Sequence, residues 1–228
     1  MNIVYAATRN LYDPMKVAIR SLLDHNRPDM IYILAEDDAL PYDIPAPHKI
    51  INVSGQTAFP ANGPNSNSQF TYMAMMRILY VDLMPDVDKV LQLDIDTIVC
   101  DDLEPLYHID LLDKWAGCCP EYFADYKPFN RQYYNIGVCL YNLAQLRKDN
   151  VVPLMVQDLN LNRYMCLEQD MVNKYGVPLG KVMPIPIRYN DSFCCGHVDN
   201  PAVVHFAGFP DWFINPYIPR REYLERYL

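Results

Sequence analysis

Apolar positions in this chain fall into short continuous runs and into stretches that repeat every three to four residues. "NIVYAA" at 2–7 is an apolar run ending in small side chains and predicts a buried strand. In the following "RNLYDPMKVAIRSLLDHN", Val17, Ile19, Leu22 and Leu23 recur at helical spacing, and Pro14 suits a helix's first turn, where no backbone donor is needed. "MIYILAE" (30–36) and "KIINVS" (49–54) predict two more strands. From Gly55 to Ser68, "GQTAFPANGPNSNS" is polar and aperiodic, so a mobile surface loop with a lid role is expected. Apolar positions 72, 73, 76, 79, 80 and 83 then trace a helix face over 70–83, with Arg77 inside that segment.

In the second half "WAGCC" (115–119), "YYNIGVCLYNL" (133–143) and "AVVHFAG" (202–208) predict strands. "VVPLMVQDLNL" (151–161) and "EQDMVNKYG" (168–176) predict helices, and "PRREYLERYL" (219–228) a short amphipathic one. No internal repeat, low-complexity tract or linker divides the chain. The alternation predicts an α/β fold over residues 1–228, a mostly parallel central sheet flanked by helices.

"KVLQLDIDTIVC", Lys89 to Cys100, breaks its own pattern. Val90, Leu91, Leu93, Ile95, Ile98 and Val99 suit a buried strand, yet Asp94 and Asp96 interrupt it two residues apart. If the strand continues through them, both carboxylates point to one face. Held that close and partly out of water, they repel each other unless a cation or hydrogen-bond donors intervene. A capped turn is the ordinary reading of such a pair. Its place after an apolar run, at the end of the sheet where ligands gather in open α/β folds, supports a cation site. Oxygen ligands alone suit Mg²⁺ or Mn²⁺, and an added histidine nitrogen tilts the choice toward Mn²⁺. His205, in "VVHFAG", follows another apolar run, whereas His25, His48, His108 and His197 stand in polar or turn-like contexts. A lone buried histidine is ordinarily a hydrogen-bonded core residue, so a ligand role for His205 depends on its combination with the aspartates.

Composition narrows the classes of partner. The chain's 228 residues, 51% hydrophobic and 21% charged, suffice for one ordinary core. A formal net charge of -9 argues against a nucleic-acid partner, which needs clustered Lys and Arg, and against an anionic membrane. No run reaches the length of a transmembrane segment, and "MNIVYAATRN" lacks the basic start and apolar stretch of a signal peptide. A complete, untargeted and cytoplasmic chain is expected. Cysteines at 100, 118, 119, 139, 166, 194 and 195 show neither a CxxC pair nor zinc spacing, which fits reduced core thiols.

Five segments occur in a telling order: "NIVYAATRN", "YMAMMRILYVDLMPDVDKVLQLDIDTIVCDDLEPLY", "YNIGVCLYNL", "LEQDMVN" and "HFAG". With them the chain resembles the family 8 glycosyltransferases, which have the GT-A nucleotide-sugar fold, and especially their bacterial α-galactosyl- and α-glucosyltransferase branch. The resemblance implies that Asp94 and Asp96 bind a divalent cation, usually Mn²⁺, with His205 as third protein ligand, and that the cation holds the diphosphate of a UDP-sugar. It places Ala6, Ala7, Thr8 and Asn10 at the uridine, and Ile95, between the two aspartates, and Gly208 at the donor as well. Arg77 matches an arginine beside the donor sugar and diphosphate, where a fixed guanidinium suits bidentate oxygen contacts. Asn135, Gln169 and Asp170 match positions lining the donor sugar, with Gln169 near the anomeric carbon and Asp170 binding sugar hydroxyls or orienting its neighbours.

The implied activity is retaining transfer of galactose or glucose from UDP to a glycan, carried by an oligosaccharide or glycolipid. Residues 1–100 would form the nucleotide- and metal-binding half and 101–228 the donor-sugar and acceptor half. Because an amide such as that of Gln169 is a poor nucleophile, the implied route is front-face substitution rather than double displacement. The family motif His-x-x-Gly-x-x-Lys-Pro-Trp reads here "HFAGFPDWFINPY": Gly208 and Trp212 are present, the lysine is absent and Asp211 stands nearby. Arg188, Arg220 and Arg221 are the candidate replacements. Leu11 stands in place of a common uracil-stacking aromatic, with Tyr12 next to it, and Glu168 in place of a frequent aspartate. Tyr122, Tyr126, Tyr133 and Tyr134 are candidates for an acceptor cleft, since aromatic faces stack on sugars. Two other readings stand beside transfer: a weak or inactive relative that binds nucleotide-sugar or glycan without turnover, and a metal-dependent nucleotidyltransferase.

Overall fold

The computed structural model describes residues 1–122 and 132–228. Its first strands are β1 (Asn2–Ala6), β2 (Met30–Ala35) and β3 (His48–Asn52), with α1 (Tyr12–His25) crossing between β1 and β2. All three run parallel, and β4 (Lys89–Leu93) joins the other side of β1 in the same direction. Alternation along these strands fills both faces of the sheet. Val4 and Val90 pack into one hydrophobic cluster, while Ile3, Tyr5, Leu91 and Leu93 pack into the opposite one with Met15, Ala18, Ile19 and Leu22 of α1.

Beyond β4 the strand direction changes. β7 (Tyr134–Asn142) pairs antiparallel with both β4 and β6 (Ala116–Pro120), and β8 (Val182–Pro184) closes that edge parallel to β6. The seven-stranded order is β3-β2-β1-β4-β7-β6-β8, mostly parallel as expected. A second sheet of two strands, β5 (Thr97–Val99) and β9 (Val203–His205), stands apart.

Several predicted elements are shorter or broken. The helix expected over 70–83 is α2 (Tyr72–Met76) and α3 (Tyr80–Leu83), separated by a tighter 3₁₀ turn at Arg77–Leu79 where the Arg77 side chain leaves the helix face for two carboxylates. The helix expected at 168–176 is one α turn, α7 (Glu168–Met171), which widens into a π turn at Val172–Gly176. There the Asn173 side chain donates to the Gln169 carbonyl at 2.8 Å, competing with the backbone for that acceptor. α4 (Glu104–Tyr107) and α5 (Leu143–Asp149) were not anticipated, whereas α6 (Val152–Leu161) and the terminal α8 (Arg221–Glu225) fall inside predicted helices. Residues 55–68 form turns without repetitive structure. They are pinned at buried Asn65, which donates to the Leu159 and Asn162 carbonyls at 2.6 and 2.9 Å. Among the described residues no helix is long and apolar enough to cross a membrane.

Candidate functional site

β4 ends at Leu93, so the strand does not run through the acidic pair, and Asp94, Ile95 and Asp96 form a turn into β5. The Asp94 backbone N–H donates to the Gly137 carbonyl at 2.7 Å, and the Thr97 hydroxyl donates to the Asp94 carbonyl at 2.6 Å. A turn, rather than strand alternation, therefore brings the two carboxylates together. β5 then pairs with β9 so that Thr97 lies opposite His205, and the Phe206 N–H donates to the Asp96 carbonyl at 2.9 Å.

That pairing places the His205 ring over the turn. Its Nε2 lies 3.3 Å from Asp96 Oδ1 and 3.9 Å from Asp94 Oδ2. One ligand atom from each of these three residues falls within 4.8 Å of the others. Nδ1 is 2.8 Å from Asn190 Oδ1, which leaves Nε2 facing the carboxylates. Burial alone would lower the His205 pKa, but the Asp96 charge and hydrogen bond and the Asp94 charge raise it to about 9. Asp96 is held below the usual carboxylate range because His205 outweighs its burial. For Asp94, burial and the neighbouring Asp96 charge outweigh Arg77 and raise it. Two hard carboxylate oxygens and one imidazole nitrogen converging on one point fit a divalent cation such as Mn²⁺ or Mg²⁺, which would take the place of the imidazolium proton.

Arg77 is not the solvent-facing helix residue that a lone arginine usually is. Its side chain is 14% exposed, and its two terminal nitrogens bond Asp94 Oδ1 and Glu168 Oε1. The Arg77 Nε and Glu168 Oε2 are buried and find no hydrogen-bond partner among the described residues. Asp94 thus divides its labour, with Oδ1 toward Arg77 and Gln92 and Oδ2 toward His205.

Asn135 and Gln169 meet at a residue that the sequence did not single out. Asn135 Nδ2 and Gln169 Nε2 both donate to Glu121 Oε1, at 2.9 and 3.2 Å. Gln169 Oε1 accepts the Ile136 backbone N–H at 3.1 Å. Burial raises the Glu121 pKa against these two donors. Asp170 is completely buried, accepting the Tyr133 hydroxyl at 2.7 Å and the Cys166 N–H at 2.9 Å, so of its two expected roles the geometry fits orienting neighbours. Tyr133 is 1% exposed and belongs to that buried group, Tyr122 is exposed, and Tyr126 lies outside the described residues.

β1 and β4 run parallel, paired at Ile3 with Leu91 and Val4 with Gln92, so the residues after β1, Ala7 and Thr8, and the acidic turn after β4 leave the sheet at the same end. Ala7 and Thr8 are buried, and the Thr8 hydroxyl donates to Asn10 Oδ1 at 2.7 Å. Tyr12 does not take over the missing stacking role: its ring is buried, and its hydroxyl binds Asp37 and the Glu36 N–H. Gly208 is exposed, with φ +87, a conformation that disfavours side chains. The three arginines expected as replacements for the absent lysine all have partners. Arg188 binds Asp101, Arg220 binds Asp191 and the Val198 carbonyl, and Arg221 binds the Trp212 and Phe213 carbonyls.

Sequence reasoning missed Gly137, Glu121 and Asn190. A Cβ at Gly137 would lie 2.1 Å from His205 Cε1, so the imidazole has its place only because this residue has no side chain. Nothing local marks any of the three, since each matters through partners far away in sequence.

The family model "Glycosyl transferase family 8" matches residues 2–211. Among curated relatives, the glycosyltransferase GlyD of Streptococcus pneumoniae is 30% identical over 166 residues, 68% of this chain and 19% of its own length. GlyF of the same organism is 26% identical over 238 residues, 90% of this chain and 55% of its own. This chain therefore spans between about a fifth and about half of these relatives. Galactosyltransferase LgtC, solved with donor and acceptor sugar analogs, superposes with a TM-score of 0.71 at 23% identity, covering 100% of this chain and 94% of LgtC. The bifunctional glycosyltransferase WbbM gives a TM-score of 0.76 at 15% identity, covering 99% of this chain and 49% of WbbM. At those identities the structural likeness bears on the fold, which is GT-A, and the match over residues 2–211 carries the assignment: the chain belongs to glycosyl transferase family 8.

Proposed function

We propose that this glycosyltransferase moves a hexose, galactose or glucose, from a UDP-sugar to a glycan hydroxyl on an oligosaccharide or glycolipid, with retention and with a divalent cation, Mn²⁺ or Mg²⁺. The observation that carries the reading is the convergence of Asp94, Asp96 and His205 within 4.8 Å, with Nε2 of the histidine turned toward the carboxylates. A cation bound there would supply Lewis acidity to the departing diphosphate. Around it, Ala6, Ala7, Thr8 and Asn10 form the nucleoside side and Ile95 the floor of the turn, with Gly208 leaving room near the phosphates. Arg77, locked between Asp94 and Glu168, presents a fixed positive charge to donor oxygens.

On the sugar side Asn135 and Gln169 are immobilised by Glu121, so they orient hydroxyls without rearranging. The Gln169 carbonyl is engaged by the Ile136 N–H, and an amide is a poor nucleophile. Both facts favour front-face substitution, in which the acceptor oxygen attacks from the side that UDP leaves and its proton passes to a phosphate oxygen. A cleft of about 560 Å³ whose lining includes Asn67, Ser68, Gln69 and Arg163 offers amide, hydroxyl and guanidinium partners of the kind a glycan acceptor needs. In this reading residues 1–100 hold nucleotide and cation, residues 101–228 hold the sugar and acceptor, and the enzyme works in the cytoplasm.

The engaged state of Arg188, Arg220 and Arg221 favours a second reading, a relative that binds donor without turnover because none of these three arginines is free to replace the absent lysine. Calorimetric titration of UDP-glucose, UDP-galactose and UDP with Mn²⁺, with EDTA, and into Asp96→Ala separates the cases. Binding that requires both Mn²⁺ and Asp96, followed by transfer giving the α-anomer by NMR, is the expected result. No binding to any nucleotide would overturn the donor reading, binding without product on an acceptor panel would favour the second one, and an inverted anomer would overturn retention.

A further inference from the structure

The buried amides behind the acidic turn form one continuous chain of hydrogen bonds from His205 to Gln169. His205 Nδ1 meets Asn190 Oδ1 at 2.8 Å, and Asn190 Nδ2 meets Asn135 Oδ1 at 2.9 Å. Asn135 Nδ2 meets Glu121 Oε1 at 2.9 Å, and Gln169 Nε2 reaches the same oxygen at 3.2 Å. Asn135, Asn190 and His205 are all at least nine-tenths buried, so water does not supply spare partners to relax the arrangement.

The direction of this chain follows from two backbone groups that can only donate. The Gly137 N–H points at one side-chain atom of Asn135 at 3.0 Å, which makes that atom the carbonyl oxygen. The second group meeting that oxygen, from Asn190, must then be the amide nitrogen, and Asn190 is left with its oxygen toward His205. An oxygen there demands a proton on Nδ1 of the imidazole, so Nε2, facing Asp94 and Asp96, is the nitrogen that a cation would take in exchange for its proton. In the same way the adjacent Ile136 N–H makes the Gln169 atom beside it the oxygen and turns its nitrogen to Glu121.

We infer that Asn190 is a positioning residue. It selects the His205 tautomer and ring orientation that a cation needs, under instruction from the Gly137 N–H through Asn135. The inference rests on the cation reading of the acidic turn. Partners of this kind behind a metal-ligating histidine fix its tautomer and raise its basicity, and their loss typically weakens metal binding by about 10- to 100-fold.

Binding of Mn²⁺ alone, followed by electron paramagnetic resonance of the free ion, tests this without any turnover. Thermal unfolding of each variant is recorded beside it. Asn190→Leu removes the acceptor and is expected to bind Mn²⁺ about 10- to 100-fold more weakly than the unaltered chain. Asn190→Asp keeps an acceptor for Nδ1–H but sets a second oxygen against Asn135. It is expected to unfold at a lower temperature and yet bind Mn²⁺ within about threefold of the unaltered chain, or more tightly through its added charge. If the unaltered chain binds no Mn²⁺, the cation reading falls and takes this inference with it. If the unaltered chain binds and Asn190→Leu binds equally well, only the inference falls. An Asn190→Asp variant as weak as Asn190→Leu would reduce Asn190 to general packing and also overturn it.

Discussion

Two carboxylate clusters in this protein are built from similar parts and end in opposite electrostatic states. On α6, Asp158 is 7% exposed, and both of its oxygens are satisfied. Oδ1 accepts from Asn162 Nδ2 and the Tyr164 hydroxyl at 2.7 and 2.9 Å, and Oδ2 from Lys174 Nζ and the Tyr175 hydroxyl at 2.5 and 2.7 Å. Four donors match the four acceptor positions of a carboxylate. At the acidic turn Arg77 bonds Asp94 but is shared with Glu168, and Asp96 faces a histidine that must be protonated to help. A closed ionic knot serves the fold, whereas a cluster left short of positive charge is prepared for a ligand that brings it.

The comparison breaks most sharply by exchanging the losses. Asp158→Ala unpairs the partly exposed Lys174 ammonium and three part-buried donors and is expected to cost about 2–3 kcal/mol of stability, while Mn²⁺ affinity stays as it was. Urea unfolding beside a Mn²⁺ titration checks this, and lost metal affinity at full stability would reverse the assignment of the two clusters. Asp96→Asn should do the opposite, lowering transferase turnover and Mn²⁺ affinity at least about 100-fold with a stability change within about 1 kcal/mol. Activity within tenfold of the unaltered enzyme would mean that Asp96 is not a ligand.

Smaller effects sharpen the contrast. Mn²⁺ at about 100 times its dissociation constant should stabilise the folded chain by about 2.7 kcal/mol, an increment removed by EDTA, absent in Asp96→Asn and retained in Asp158→Ala. Gly137→Ala should cost about 1–3 kcal/mol, because its Cβ would lie 2.1 Å from the His205 ring, and should remove the Mn²⁺ increment as well. An alanine variant with normal metal binding would show that the ring does not depend on that space.

The mildest effect is an acid limb. Burial would raise the Asp158 carboxyl, but bonds from Lys174, Tyr175, Asn162 and Tyr164 outweigh it and hold the pKa at about 2 against an ordinary 3.8. A depressed carboxylate contributes stability that is fully present above its unfolded pKa and lost as pH falls through its folded one. About 1–2 kcal/mol should therefore disappear between roughly pH 4 and pH 2, and Asp158→Asn should flatten that part of the stability profile. An unchanged acid limb in Asp158→Asn would place the linkage elsewhere.

Much of the first hundred residues was legible because their order is local. The β1, β2, β3 and β4 runs are short and apolar, and α1 carries its buried face at regular spacing, so periodicity alone announces them. The break at Arg77–Leu79 was not legible, because it answers to Asp94 and to Glu168, 91 residues away. Asp94, Asp96 and His205 were visible as residue types, but the turn that joins the aspartates and the β5–β9 pairing that delivers the histidine were not.

Sequence by itself determined the strand and helix runs, the acidic pair standing after a core strand, and the ordered motifs that place the chain in its family. Those features depend on neighbours within a few residues or on residue identity alone. Tertiary structure decided the antiparallel turn of the sheet at β7, the burial of Asp170, and the roles of Glu121, Gly137 and Asn190. The physical reason is that a buried polar group must find its partner wherever the fold brings one, and such partners leave no periodic mark on the chain.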